Sequence, residues 1–157
     1  MIPVTADTIR LFLHVLAACI WVGGQLTLGV VIPALRPAPD DPDPAAARVR
    51  IRAVAQRFQR VAWAAFAVLL ATGVWNLMAA HVGDRDTPWL TTLLVKLFCV
   101  AISGLAAAIH ILVFAPRVRA ARTEADRRRA AAFSGACEGI AVLFAVAALF
   151  LGILLTG

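Results

Sequence analysis

Ionisable and ligand-forming side chains occur inside stretches of this sequence that are otherwise apolar, where a buried charge is costly and points to function. His14 and Lys96 lie in two such stretches, at similar depth from one surface if each residue rises about 1.5 Å. His14 shares a helical face with Ala18, Trp21 and Gln25. Imidazole is the commonest haem ligand, and small neighbours leave room for a flat ring, so this face predicts a haem b site.

Two further polar residues, Asn76 and His81, lie within a turn or two of the same level at the end of another apolar stretch. We predict Lys96 as the catalytic residue, His14 and His81 as metal ligands, and as cofactor-binding residues His14, Trp21, Asn76 and His81. Simpler roles stay open, because Lys96 can reach the lipid headgroups, His14 can bond to a neighbouring helix and His81 can be a solvated interfacial residue.

A second polar layer is expected toward the opposite surface, consisting of Gln25, Arg60, His110 and Glu138. A carboxylate among Arg and His makes buried charge tolerable, so the layer is either a structural ion-pair cluster or a proton path or second ligand site. His110 lies about 21 Å along the axis from Lys96. His14 and His110 therefore cannot clamp one haem, and a bis-histidine haem would need His14 with His81.

The elements that carry these residues are membrane spans. Hydrophobic residues make up 62% of the 157 residues and charged residues only 15%, which a soluble domain of this length could not bury. A span needs about 20 mostly apolar residues. We predict an all-α, integral membrane four-helix up-down bundle, a single domain over residues 1–157, with spans at 8–33, 61–80, 89–115 and 131–155.

Local signals predict the helix ends. Asp7 or Thr8 is expected to cap the first helix, and Pro116 to end the third. Residues 37–44 predict a stiff acidic connector, and residues 48–60 an amphipathic segment that leads into the second span. Small residues are expected to allow close helix contacts, namely Gly23, Gly24, Gly73, Gly104, Gly135 and Gly139.

The positive charge is concentrated in two connecting segments. Of the 15 Lys and Arg residues, six lie within residues 36–60 and six within 117–129. Short loops rich in Lys and Arg stay in the cytoplasm, so we predict a multi-pass protein of a bacterial-type inner membrane with both termini outside. The first helix is expected to be retained rather than cleaved as a signal. This placement favours the lipid bilayer as partner over nucleic acid and leaves an oligomer open.

Three segments of the chain resemble a known superfamily. Residues 13–24 (LHVLAACIWVGG) resemble the opening helix of copper-resistance-D (CopD) domain proteins. Residues 59–76 (QRVAWAAFAVLLATGVWN) and 93–97 (LLVKL) are similar to the next two motifs, in the same order. The resemblance implies copper uptake alongside a periplasmic copper carrier. Soft copper ligands would be thiolate, thioether and imidazole, here Cys19, Cys99, Met1, Met78 and His81.

The same layout is similar to the HemJ-type protoporphyrinogen oxidases, small four-helix proteins that bind haem b. In that family a first-helix His and a third-helix Lys form the key polar pair, which carries over to His14 and Lys96. The segment after Trp21 differs from the aromatic-rich run of that family. The leading prediction is therefore a redox protein that binds haem b in the outer half of the bundle and acts on quinone or porphyrin. A copper transporter and a non-catalytic membrane subunit are the alternatives.

Overall fold

The computed structural model describes residues 3–38 and 40–156, and in these ranges the chain is helical and contains no strand. Four helical segments are long and apolar enough to cross a membrane, which confirms the predicted all-α, four-span fold class. Met1, named above as a thioether, lies outside the described residues. The helices are α1 (Ala6–Ala34), α2 (Pro44–Ala79), α3 (Thr87–Ile109), a π turn (His110–Phe114), α4 (Ala115–Ala120) and α5 (Glu124–Leu154).

Most of the apolar surface of these helices is not covered by protein. Only 17% to 28% of each spanning window is buried within the structure. Large side chains such as Phe12 and Leu112 are more than half exposed. Because the backbone polar groups of a helix are satisfied internally, lipid can cover such a surface at no hydrogen-bonding cost. The chain is a multi-pass membrane protein.

The chain forms two compact units, Met1–Val82 and Gly83–Gly157. The first unit, here called the first hairpin, pairs α1 with α2. The second hairpin pairs α3 with α5, and the short α4 also packs on α5. In each hairpin, residues early in the first long helix contact residues late in the second, so the two long helices run antiparallel.

The first helix begins earlier than expected. Thr5 is the residue before the helix, and its side chain accepts a hydrogen bond from the Thr8 backbone N–H at 3.2 Å. The Thr8 hydroxyl in turn accepts from the Thr5 N–H at 3.5 Å. The prediction that Asp7 or Thr8 caps the helix is therefore wrong, because this reciprocal pair satisfies the free N–H groups one turn earlier.

The second helix is one continuous rod that includes the arginine-rich segment. Asp43 caps it by accepting from the Ala46 N–H at 2.9 Å, and Pro44 occupies the first turn, where its missing N–H costs nothing. Of the described residues in the predicted connector 37–44, only Pro44 is helical. At 36 residues the rod is about 54 Å long, well beyond a hydrocarbon core of about 30 Å.

The third helix does not end at Pro116, contrary to the prediction. The Ala115 N–H bonds to the carbonyl of His110 five residues earlier, so the helix widens into a π turn and continues as α4 to Ala120. Proline lacks an N–H and clashes with the carbonyl four residues before it in a regular helix. An extra residue per turn, placed just before Pro116, relieves that clash and keeps the helix continuous.

Close packing at glycine is confirmed at only part of the expected positions. A Cβ added at Gly24 would overlap the ring of Phe58, so this α2 ring packs directly on the α1 backbone. Added Cβ atoms at Gly23, Gly135 and Gly139 would meet nothing within 4 Å. For these three glycines the predicted close helix contact stays a prediction, because no described atom of the same hairpin lies where a Cβ would point.

Candidate functional site

The first hairpin holds His14 against a buried threonine of the facing helix. Nδ1 of His14 lies 2.9 Å from Oγ1 of Thr72. Thr72 is 5% exposed, while His14 is half-buried. A Cβ added at Gly73 would lie 3.6 Å from Cε1 of His14, so the ring also rests against the α2 backbone. The contact fixes the imidazole between two antiparallel helices.

The hydrogen bonds of Thr72 determine which ring nitrogen of His14 carries hydrogen. Its hydroxyl lies 2.7 Å from the carbonyl of Val68, and a carbonyl can only accept. The single hydroxyl hydrogen is therefore donated to Val68, and Oγ1 must accept from His14. It follows that Nδ1 of the neutral ring is protonated and Nε2 carries the lone pair, which is the usual state of a metal-ligating imidazole.

Two polar residues lie one turn beyond His14 and Thr72 in the same direction. Arg10, four residues before His14, is 9% exposed and pairs through Nη1 with Asp7 at 2.9 Å. Its Nε is buried without a hydrogen-bond partner among the described residues. The Oδ1 of Asn76, four residues after Thr72, is also buried without a hydrogen-bond partner among the described residues. Both helices therefore present a polar group just beyond His14.

Trp21 and Gln25 occupy the same stripe of α1 as His14. Trp21 is 3% exposed and packs with Trp63 and Phe66, at ring-centroid distances of 5.6 Å and 4.3 Å. Gln25 is 6% exposed, and both of its amide atoms are buried without hydrogen-bond partners among the described residues. The stripe thus has polar groups at two levels, separated by an aromatic cluster; the cofactor role of Trp21 stays a prediction.

His81 lies outside the helical part of the first hairpin. It follows the end of α2, is exposed, and has a φ of 47°, the left-handed conformation that commonly stops a helix. Ala79 lies seven residues after Thr72 in the same helix, which is a rise of about 10 Å along the helix axis. His81 is therefore not level with His14, and the geometry does not bring the two rings together as ligands of one haem.

In the second hairpin, Lys96 crosses the α5 backbone at a glycine. A Cβ added at Gly152 would lie 3.1 Å from Nζ and 3.6 Å from Cε of Lys96. One face of α3 is further tied to α5 by Ser103, which is 1% exposed and donates to the Ala141 carbonyl at 2.9 Å. Gly152 thus leaves the space through which the half-buried lysine extends, and the catalytic role of Lys96 stays a prediction.

The structure brings together two members of the inner polar layer. Nε2 of His110 lies 3.9 Å from Oε2 of Glu138. Nδ1 of His110 lies 2.9 Å from the Ser134 carbonyl and 3.1 Å from its hydroxyl. Gln25 and Arg60 belong to the first hairpin, where Arg60 is exposed. Their membership of one cluster with His110 and Glu138 stays a prediction.

Comparison with known protein families shows which family this chain belongs to. A family model described as copper resistance protein D matches residues 52–155, more than half of the chain. The chain belongs to the copper resistance protein D family. The matched region of this CopD-family chain contains Thr72, Lys96, His110 and Glu138, whereas α1 with His14 precedes it. No curated protein and no solved structure matches the chain.

Three contributors to these sites were not singled out from the sequence: Thr72, Arg10 and Ser134. Each has the same signal, because each lies four residues from a residue that was singled out and on the same helical face. Among the described residues of this CopD-family chain, no three His, Cys, Asp or Glu side chains form a group that could hold a metal.

Proposed function

We propose that this CopD-family protein carries copper across the bilayer and that His14 is a ligand on the route. The observation that carries the proposal is the half-buried imidazole of His14, which Thr72 holds between two antiparallel helices through a hydrogen bond of 2.9 Å to Nδ1. Imidazole and thiolate are suitable ligands for copper. The family description, copper resistance protein D, supports copper as the metal.

Other candidate ligands differ in how they are placed. Cys99 is 5% exposed and lies in the interior of α3, where a thiol could relay a soft cation. Cys19 and Met78 are exposed on α1 and α2, with Met78 at 77%. We infer that Cys99 belongs to the route, and that Met78 and His81 serve at most as entry ligands at the end of the first hairpin. That end would face the periplasm and a copper carrier.

Copper content of cells tests the proposal. Cells expressing the protein should accumulate more copper than cells with an empty vector, and His14→Ala should abolish the difference. Loss of Cys99 together with Met78 should reduce it. Immunoblots of the membrane fraction must show equal amounts of each variant. Equal copper content in the empty-vector, wild-type and His14→Ala cells would contradict copper carriage.

A second candidate function, a haem b redox protein, is favoured by the same imidazole. The donor chemistry of His14 fits one axial position of haem b, which would supply one-electron redox chemistry when bound. Ala17 and Ala18, on the following turn, are small, as a flat ring requires. An absorption spectrum of detergent-purified protein, oxidised and dithionite-reduced, decides between the candidates. A Soret band that His14→Ala abolishes would favour haem, and its absence with stoichiometric copper would favour copper carriage.

The proposal also includes the orientation of the protein in the membrane. The arginine-rich first turns of α2 and the segment 117–129 would lie in the cytoplasm, with both chain ends outside. A cysteine introduced at Thr156 should react with a membrane-impermeant thiol reagent in intact spheroplasts, whereas one introduced at Arg122 should not. The assay uses a background in which Cys19, Cys99 and Cys137 are replaced by alanine. The reverse labelling pattern would contradict this orientation.

A further inference from the structure

His110 and Glu138 lie close together in the second hairpin, and neither residue has a role in the copper route proposed above. Nδ1 of His110 lies 2.9 Å from the Ser134 carbonyl, which can only accept a hydrogen bond. Nδ1 therefore carries hydrogen, and Nε2 of the neutral ring carries the lone pair. A ligating histidine almost always donates its other ring N–H to a carbonyl or carboxylate in this way.

The lone pair of Nε2 and the carboxylate of Glu138 are both electron donors, and they lie on the same side of the ring. Their separation is 3.9 Å, which exceeds the limit of about 3.2 Å for an N–H···O hydrogen bond. A divalent cation bound at about 2.1 Å from each atom would hold them between about 3.4 and 4.2 Å apart, depending on the angle. The observed separation lies within the range that a shared metal ion would give.

Local structure explains why the two side chains meet. Ser134 and Glu138 are four residues apart on α5, so they share a face, and His110 begins the π turn of the facing helix. Phe114 stacks on Phe133 at 5.7 Å between centroids. The π turn and the stacked rings set how His110 is presented to α5.

Among the described residues, His110 is the only basic side chain that pairs with Glu138. Within the second hairpin, the nearest guanidinium along the chain is that of Arg117, which lies over the ring of Phe114 at 5.6 Å. In the part of the chain that the structure describes, neither Nε2 of His110 nor the carboxylate of Glu138 has a hydrogen-bond donor, and each side chain is about 30% exposed. The exposed side of the pair leaves space in which further small ligands can complete the coordination of a metal ion.

We propose that His110 and Glu138 form a binding site for a borderline divalent cation, zinc or copper(II), on the second hairpin. Imidazole nitrogen and carboxylate oxygen are ligands for such ions, and water fills the remaining positions. The site is distinct from His14 and does not depend on copper carriage. With two protein ligands it binds and releases its ion readily.

Titration of the detergent-purified protein with Zn²⁺ by isothermal calorimetry tests the site. We expect binding at this site to weaken at least tenfold in both His110→Gln and Glu138→Gln. Glu124→Gln is the matched control, since Glu124 is an exposed carboxylate that pairs with Arg127 and Arg128 on the same helix. This variant should bind Zn²⁺ as the wild type does.

Two further measurements separate this site from others. His14→Ala should keep the same Zn²⁺ binding, which distinguishes failure of the copper proposal from failure of this one. Circular dichroism and thermal unfolding must show that each variant folds, and Glu138→Asp serves as a second variant if Glu138→Gln does not. Unchanged Zn²⁺ affinity in folded Glu138→Gln, or binding that disappears in His14→Ala, would overturn the proposal.

Discussion

Replacing Thr72 with valine tests how the first hairpin prepares His14. Valine has nearly the shape of threonine but lacks the hydroxyl that accepts from Nδ1 of His14 at 2.9 Å. The Val68 carbonyl, which also accepts from that hydroxyl, keeps its place in the helix. The substitution therefore removes the partner that fixes the ring and its tautomer, and it leaves Nε2 itself in the protein.

The expected loss of stability in Thr72→Val is small, whereas the expected loss of copper(I) affinity is large, and this difference tests whether Thr72 orients His14. Hydrogen bonds between membrane helices contribute about 0.6 kcal/mol to stability on average and at most about 1.7, so Thr72→Val should lower the unfolding free energy only modestly. Loss of the group that orients a ligating histidine typically costs about 10- to 100-fold in metal affinity. Thr72→Val should therefore weaken copper(I) binding by that factor while the protein remains folded.

The assay is competition for copper(I) between the detergent-purified protein and a chromogenic chelator. Thr27→Val is the matched control, because the Thr27 hydroxyl also bonds to a carbonyl four residues earlier, that of Gly23, at 2.8 Å, but on an exposed face of α1. Thr72→Ser should restore affinity because it restores the acceptor. If folded Thr72→Val binds copper(I) as tightly as Thr27→Val while His14→Ala does not, the tautomer reasoning is refuted.

Three further substitutions test the packing of the hairpins by thermal unfolding in detergent. Gly24→Ala should destabilise the protein because its Cβ would overlap the Phe58 ring, whereas Gly23→Ala should not; equal effects would contradict the close contact. His81→Gly should stabilise by about 1 kcal/mol, since glycine adopts a positive φ without strain, and a loss of stability would contradict this. Ser103→Ala should cost about 0.6 kcal/mol by removing its bond to the α5 backbone; no change would show that the bond contributes nothing.

The sequence was sufficient to predict the helices as membrane spans but not where several of them end. A span is a property of some 20 residues together, so its signal survives local irregularity. A helix end depends on one or two hydrogen bonds. At the start of α1, Asp7 and Thr8 are capping residue types as suitable as Thr5, so the sequence does not identify Thr5 as the cap. At Pro116 the sequence predicts a helix end, because the π turn that accommodates the proline has no sequence pattern of its own.

The candidate sites were predictable residue by residue but not as pairs. Depth along a helix placed His110 and Glu138 in one layer, and the structure finds them 3.9 Å apart. The partner of His14 was not foreseen, because its identification requires the register between α1 and α2. A threonine in an apolar helix also satisfies its own hydroxyl within the helix, so Thr72 gave no sign of an unmet polar group.

The continuity of α2 has a mechanical consequence. Thr72 and Pro44 belong to one unbroken helix and lie about 42 Å apart along its axis. A rod of this kind is a lever, with the His14 contact near one end and the arginine-rich turns at the other. A tilt of about 5° about the level of Thr72 would displace the far end by about 4 Å. If a ligand bound at His14 tilted α2 in this way, the arginine-rich turns would move relative to their surroundings, while the side chains along the helix kept their neighbours.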